Sequence, residues 1–323
     1  MMNNFEYVKA GSLAEATKAL STKGARLHAG GTDLLGCARD GIFPVEKIVS
    51  ISSLKELKGI TARADGVLKI GALTTLADVA ANAAVIEKYG ALAQAAAAVG
   101  TPQIRQQGTL GGNICQRPRC WYFRGDFPCL RKGGNLCYAM GGENQYHGIF
   151  GGGPCFFVHP SDTAVALSAL QAKLKIAGCC GYRSPRIDSF FVGQGKALDR
   201  ENDLASAEIV MEIQIPPVAR GEKSAYRKVA SRGSWDFALV SVAAVLQLEG
   251  VNIRAARIVL GGVGSYPWRI PAVEKLLAGK KLDQALAAAA GVEAAAGAQP
   301  LRDNGYKAGI VKGIVEEVLA SFI

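Results

Sequence analysis

Ala29-Gly30-Gly31-Thr32-Asp33-Leu34-Leu35 and Gly108-Thr109-Leu110-Gly111-Gly112-Asn113 are the stretches whose reading decides the fold. Ala25-Arg-Leu-His28 before the first reads as a short strand, and a helix is expected after it. Glycines let the chain turn tightly and bare its N–H groups, and a helix N-terminus adds partial positive charge, so the segment suits an anion. Thr32 or Asp33 is placed to cap the helix, and Thr32 could bond a phosphate oxygen. The second stretch offers the same chemistry, with Thr109 and Asn113 as side-chain donors. Neither has the spacing of a Rossmann fingerprint or a P-loop, and each alone also fits a tight turn.

Outward from these segments the pattern alternates. Ser12-Leu-Ala-Glu-Ala-Thr-Lys-Ala-Leu20 has helical apolar spacing, with Ser12 as cap and Glu15 three residues on. Lys47-Ile-Val-Ser-Ile51 is a short buried strand, which makes the start of the chain an α/β layer. Val67–Ile70 reads as a strand, and the alanines of Leu92–Val99 favour helix and leave room for another backbone to approach. Beyond residue 162, Thr163–Leu170 reads as a helix, Ala172–Ile176 as a strand, and Ile209–Ile215 alternates with period two up to Pro216-Pro217. That Pro-Pro marks a domain boundary. After it come strands near Ser224–Val229, Ala238–Leu248 and Ile253–Leu260, then helices over 281–297 and Gly305–Ile323.

A chain of 323 residues, 49% hydrophobic and 20% charged, is globular and divides into two or three units. No apolar run nears the roughly 20 residues of a spanning helix. The opening Met1-Met-Asn-Asn-Phe-Glu-Tyr7 has no export signal, which predicts a cytoplasmic protein, or a periplasmic one carried by a signal-bearing partner. The net charge of +10 invites nucleic acid, but the cations are scattered and no recognition motif accompanies them. Nucleic-acid binding is therefore not expected. One basic cluster, Arg117, Arg119, Arg124, Arg131 and Lys132, lies where it could offset anionic thiolates or attract an acidic redox partner.

Those thiolates are Cys120, Cys129, Cys137 and Cys155, in an irregular stretch from Gln116 to Pro154 and just beyond. A loop this long inside a folded unit is usually functional. Four thiolates are the usual ligand set of a cubane iron–sulfur cluster. Structural zinc competes, although zinc ligands usually come as close C-x₂₋₄-C pairs and none exists among these four. Disulfides need an oxidising compartment. Cys37, Cys179 and Cys180 fall within apolar patterns and read as packing residues, as does Cys115. His147 and His159 read as ordinary loop histidines.

The two glycine segments, His159-Pro160-Ser161-Asp162 and Tyr226-Arg-Lys-Val-Ala-Ser-Arg232 together resemble the FAD-binding subunit of the molybdenum hydroxylases, the xanthine dehydrogenase and carbon monoxide dehydrogenase family. The resemblance implies an α+β chain: the two-subdomain FAD-binding fold of the vanillyl-alcohol oxidase type, followed by a small α/β C-terminal domain. Its parts would be residues 1–60, residues 61–218 with a cysteine-rich insertion at about 115–156, and residues 219–323. It implies FAD held by Ala29, Gly30, Gly31, Thr32, Asp33 and Leu34 on one side. Gly108, Thr109, Gly111, Gly112 and Asn113 would hold it on the other. Ser161 and Asp162 would lie near the flavin and its hydroxyls, with Lys228 a weaker candidate near the ring.

The insertion resembles the subset with an extra [4Fe–4S] cluster, on Cys120, Cys129, Cys137 and Cys155 here, as in 4-hydroxybenzoyl-CoA reductase and bacterial aldehyde oxidoreductases. The spacing around Arg119-Cys-Trp-Tyr-Phe-Arg124 looks closer to the aldehyde oxidoreductases. The implied function is electron relay in a heterotrimer, with molybdopterin on a large subunit, two [2Fe–2S] clusters on a small one, and ferredoxin or NAD outside. The complex is expected to oxidise aldehydes. The alternatives are an aromatic acyl-CoA reductase, an N-heterocycle hydroxylase or a stand-alone flavin dehydrogenase.

Overall fold

The computed structural model describes residues 4–323; residues 1–3, where the stretch read for an export signal begins, lie outside them. Three sheets organise the chain. In the first, Glu6–Lys9, Lys47–Ser50 and Ala25–His28 run parallel, with Lys47–Ser50 in the centre. The helix Leu13–Leu20 supplies the crossover. Ser12 Oγ accepts from Glu15 N at 3.2 Å and Glu15 accepts from Gly11 N at 2.7 Å, so the capping reading holds.

The second sheet is antiparallel and ordered Ile60–Ala62, Leu68–Gly71, Ile209–Ile215, Lys173–Gly178, Gly181–Arg183. Its central strand comes from far down the chain. The second glycine segment and the whole cysteine insertion therefore lie within this unit. Helices Leu76–Ala81, Gly90–Ala97 and Asp162–Ala169 share its core.

The third sheet, Trp268–Arg269, Asn252–Gly261, Val240–Glu249 and Glu222–Val229, is also antiparallel. Strand Val240–Glu249 is covered on both faces. Ala243 and Val245 join the core of the second unit, while Val240, Val242, Ala244 and Leu246 pack with Val311, Ile314 and Val318 of helix Tyr306–Ala320. This explains why it reads as an apolar run rather than an alternating one. The alanine helix Gly90–Ala97 does admit a backbone: its Ala91 N–H donates to Ser224 Oγ at 3.2 Å, and Tyr226 N donates to Gln94 Oε1 at 2.6 Å. No helix among the described residues is long and apolar enough to cross a membrane.

Two expectations fail here. Cys179 and Cys180 are exposed and form the turn between strands Lys173–Gly178 and Gly181–Arg183, so they are not packing residues. Asp33 does not cap helix Leu34–Arg39, because its carboxylate is drawn elsewhere.

Candidate functional site: a cleft between glycine segments and a thiol cluster

The two glycine segments meet. A Cβ on Gly30 would lie 2.0 Å from Gln107 O, and one on Gly111 would lie 2.8 Å from Ala72 Cβ. Gly31 has φ +73°, a left-handed conformation that favours glycine. Along their contact runs a cleft of about 790 Å³, lined by Ala29, Gly30, Gly31, Thr32, Asp33 and Leu34 from one side and by Thr109, Gly111 and Gly112 from the other. Gly108 and Asn113 line an adjoining cavity of about 280 Å³, which shares Thr32 and Thr109 with the cleft. Ser161 and Asp162 line a third, of about 360 Å³, and Asp162 lies on both of the smaller cavities. Lys228 lines none of the three.

The segments are not equivalent as anion binders. Among the described residues, no acceptor takes the amides of Gly30, Gly31, Thr32 and Asp33. In the second segment, Leu110 and Gly111 donate to Thr74 O and Ala72 O, Gly112 to Thr109 Oγ1, and Asn113 to Thr109 O. The first segment thus has four unspent N–H groups in a row, whereas the second keeps only that of Thr109 free. The second contributes side chains: the Thr109 O–H, and the Asn113 amide, whose Oδ1 accepts from Ser161 and Thr163, both at 2.6 Å. The donor set fits a pyrophosphate.

Behind Ser161 the polar groups are satisfied internally. Asp162 accepts from Tyr226 Oη at 2.6 Å and from Lys228 Nζ at 2.7 Å, and Lys228 also donates to Ala98 O and Asp236 O. Lys228 is therefore a strut between the second and third sheets. His159 is buried on the wall of the 360 Å³ cavity, with Nδ1 3.4 Å from Ser161 N, no partner for Nε2, and its ring edge-on to Phe191. Burial pushes its pKa down to about 3. Neutral His159 therefore contributes stability above pH ~6.5 that is lost as the pH falls toward about 3. Unfolding measured in urea across this range should show His159→Phe losing up to one proton from the stability–pH slope. An unchanged slope would mean the imidazole is not buried as described.

The cysteine insertion is anchored to the same first segment. Asp33 accepts from Arg117 N at 2.7 Å, Arg119 Nη1 at 2.5 Å and Arg124 Nη2 at 2.7 Å. Burial would raise its pKa, but Arg119 and Arg124 hold it below the usual carboxylate value. Buried Glu201 pairs with Arg117 at 3.0 Å and with Arg131, while Lys132 donates to Gly125 O. The basic cluster is spent inside the protein, so it does not form the acidic-partner surface that the sequence suggested.

The four cysteines share one neighbourhood. Cys137 and Cys155 are near enough to act on each other's ionisation, and Cys120 feels the charges of Cys137 and Cys129. Nearby backbone amides favour charge on the sulfurs: those of Tyr122 and Phe123 on Cys120, of Phe156, Ala139 and Met140 on Cys137, and of Phe157 on Cys155. Cys155 and these amides pull the Cys137 thiol down to about 6 against its burial. Burial pushes Cys120 up to about 11. Among the described residues, no group of three or more His, Cys, Asp or Glu is arranged to hold a metal ion. The sulfurs thus converge on a region rather than a point.

Fold and cleft together define a protein built to bind a phosphate-bearing cofactor. Residues 3–218 match the FAD binding domain in molybdopterin dehydrogenase, and residues 224–322 match the CO dehydrogenase flavoprotein C-terminal domain. The chain belongs to this family of FAD-binding medium subunits of the molybdenum hydroxylases. It is 36% identical to the aldehyde oxidoreductase FAD-binding subunit PaoB of Escherichia coli, over 99% of this chain and 98% of that protein. It is 30% identical to the glyceraldehyde dehydrogenase medium chain of Sulfolobus acidocaldarius, over 87% and 84%. Carbon monoxide dehydrogenase from Hydrogenophaga pseudoflava, solved without the Mo-pyranopterin moiety of its cofactor, has a chain that superposes with a TM-score of 0.79 at 26% identity, covering 99% of this chain and 97% of that one.

Sequence reasoning missed Asp33 as the anchor of the insertion and Glu201 altogether, and it read His147, whose Nε2 lies 3.2 Å from Cys120 Sγ, as an ordinary loop histidine. A lone Glu in a polar loop and a lone loop His carry no local signal.

Proposed function

We propose that this chain relays electrons between the [2Fe–2S] subunit of a heterotrimeric molybdenum hydroxylase and an external carrier, through FAD in the cleft and a [4Fe–4S] cluster on Cys120, Cys129, Cys137 and Cys155. A molybdopterin subunit completes the complex, and its substrate is an aldehyde. The observation that carries the relay is Cys120, which lines the same cavity of about 360 Å³ as Ser161 and Asp162. A sulfur of the thiol cluster thus borders the space beside the cleft. The aldehyde assignment rests on similarity to two subunits whose names specify aldehyde oxidation.

When bound, FAD would interchange one- and two-electron steps and the cluster would pass single electrons. The chain's own residues position rather than react. The amides of Gly30, Gly31 and Thr32 would hold the pyrophosphate, with the Thr109 hydroxyl and the Asn113 amide opposite. Ser161 fixes Asn113 by donating to its Oδ1, and Asp162 is held by Tyr226 and Lys228. Backbone N–H groups directed at sulfur favour thiolates, which is what a cluster requires and an apolar packing role does not.

The chain purified without oxygen should show flavin absorption under a broad iron–sulfur shoulder, with roughly four irons per chain. Flavin without iron would remove the cluster from the proposal, and one zinc without iron would replace it with a structural site. Protein lacking flavin would remove the relay.

A further inference from the structure

We propose that His147 donates a hydrogen bond from Nε2 to the Cys120 sulfur and thereby raises the reduction potential of the cluster. The proposal rests on the cluster reading above and deepens it. His147 Nε2 lies 3.2 Å from Cys120 Sγ. The ring is buried, and Nδ1 has no partner. Its one polar contact is therefore to sulfur. A thiolate can only accept, so the proton belongs on Nε2, and an Nδ1 without a donor tolerates being the unprotonated nitrogen.

The loop carrying the ring is over-determined from the C-terminal domain. Asn304 Nδ2 donates to His147 O and Gly148 O, both at 3.2 Å. Lys307, fully buried, donates to Tyr146 O, His147 O and Gly262 O at 3.2, 3.0 and 2.8 Å. On the near side, Asn144 Oδ1 accepts from Asp303 N at 2.8 Å. A histidine that merely filled space would not need its backbone held by two buried side chains from another domain. This one is fixed in distance and direction to a single sulfur.

Backbone amides also favour charge on these sulfurs, and the fold supplies them whatever the sequence. His147 adds a side chain to that set, on the cysteine that borders the flavin-side cavity; both residues line it. A hydrogen bond to a ligating sulfur withdraws electron density and stabilises the extra negative charge of the reduced cluster, more strongly in a buried, low-dielectric setting. The cluster facing the flavin would then be an easier electron acceptor than backbone amides alone would make it. His147 acts through Cys120 and is a positioning residue.

The test is a potentiometric titration, followed by electron paramagnetic resonance, of the assembled complex carrying wild type, His147→Leu or His147→Gln. Iron retained in His147→Leu with the cluster about tenfold harder to reduce at a fixed poise, some 59 mV for one electron, is the expected result. His147→Gln, which keeps a donor, should recover part of the shift. Wild-type potential and full iron in both variants would overturn the inference and leave the cluster standing; wild type without this chain's iron would sink the cluster itself. Should His147→Leu lose its iron, wild-type complex labelled with ¹⁵N-histidine decides. A ring nitrogen coupled to the reduced cluster supports the hydrogen bond, and its absence refutes it.

Discussion

Replacing Gly30 by alanine is expected to empty the flavin cleft while the rest of the chain stays folded. The added Cβ would sit 2.0 Å from Gln107 O and 2.9 Å from Gln107 C, closer than real Cβ contacts come. Both obstructing atoms are backbone, at the end of helix Pro102–Gln107 immediately before Gly108, so neither can rotate away. The only relief is for the first glycine segment to back off from the second. That movement separates the unspent amides of Gly30, Gly31 and Thr32 from Thr109 and Asn113, and the cleft loses its opposed donors. Overpacking of this kind costs about 1–3 kcal/mol. Charged to flavin binding, at tenfold per ~1.4 kcal/mol, it weakens affinity roughly 5- to 150-fold. Gly36 supplies the control: it lies in the following helix, a Cβ there would meet nothing within 4 Å, and its φ is not positive. Gly36→Ala should keep its flavin and gain a few tenths of a kcal/mol. Flavin-to-protein ratios after gel filtration read both variants. Full flavin in Gly30→Ala would mean that the approach of the two segments does not shape the site.

Why the glycine segments could be read from sequence, while their surroundings could not, follows from the range of the interactions. Gly30 needs its bare Cα because Gln107, distant in sequence, packs against it. Gly31 needs its φ for local reasons, and a strand–glycine–helix pattern displays such a need directly. The strands showed themselves in the same way: Met211–Ile215 alternates because Ile213 and Ile215 meet the core while Glu212 and Gln214 do not, and Val240–Glu249 does not alternate because both of its faces are covered. Asp33 looks like a cap for the same local reasons, yet three partners from the insertion, 84 to 91 residues away, outbid the helix. The arginines of the insertion could be read as offsetting thiolates or as a partner-facing patch because Glu201, 70 residues beyond Arg131, leaves no trace near them. Cys179 and Cys180 misled because an apolar run ends at a turn without announcing it. Charge pairing between distant loops is settled by topology, and local pattern is blind to it.

Cys137→Ser should cost the chain its iron and spare its flavin. Cys137 sits beside Cys155 and three backbone amides, which bring its thiol down to about 6, whereas the thiols of Cys120 and Cys155 are raised. Serine keeps the shape and some of the hydrogen bonds but cannot serve as a soft ligand, so iron should fall from roughly four per chain to below one. None of Cys129, Cys137 and Cys155 lines the cleft of about 790 Å³, so its donors are untouched and flavin should stay stoichiometric. The insertion itself should loosen. Its own apolar cluster is small, with Cys37, Ile42, Phe123 and Cys129 as buried members, and a cluster bound by the folded state contributes folding free energy. Faster proteolysis within residues 116–155, with the three sheets intact, would report this. The discriminating control is Cys37, which packs with Cys129 and Phe123 but already accepts from Arg124 Nη1 at 2.8 Å and is pushed up to about 11 by burial. Cys37→Ala should retain all of its iron. Iron lost from Cys37→Ala but kept in Cys137→Ser would reassign the ligands, and iron kept in both would dismiss Cys137 from the set.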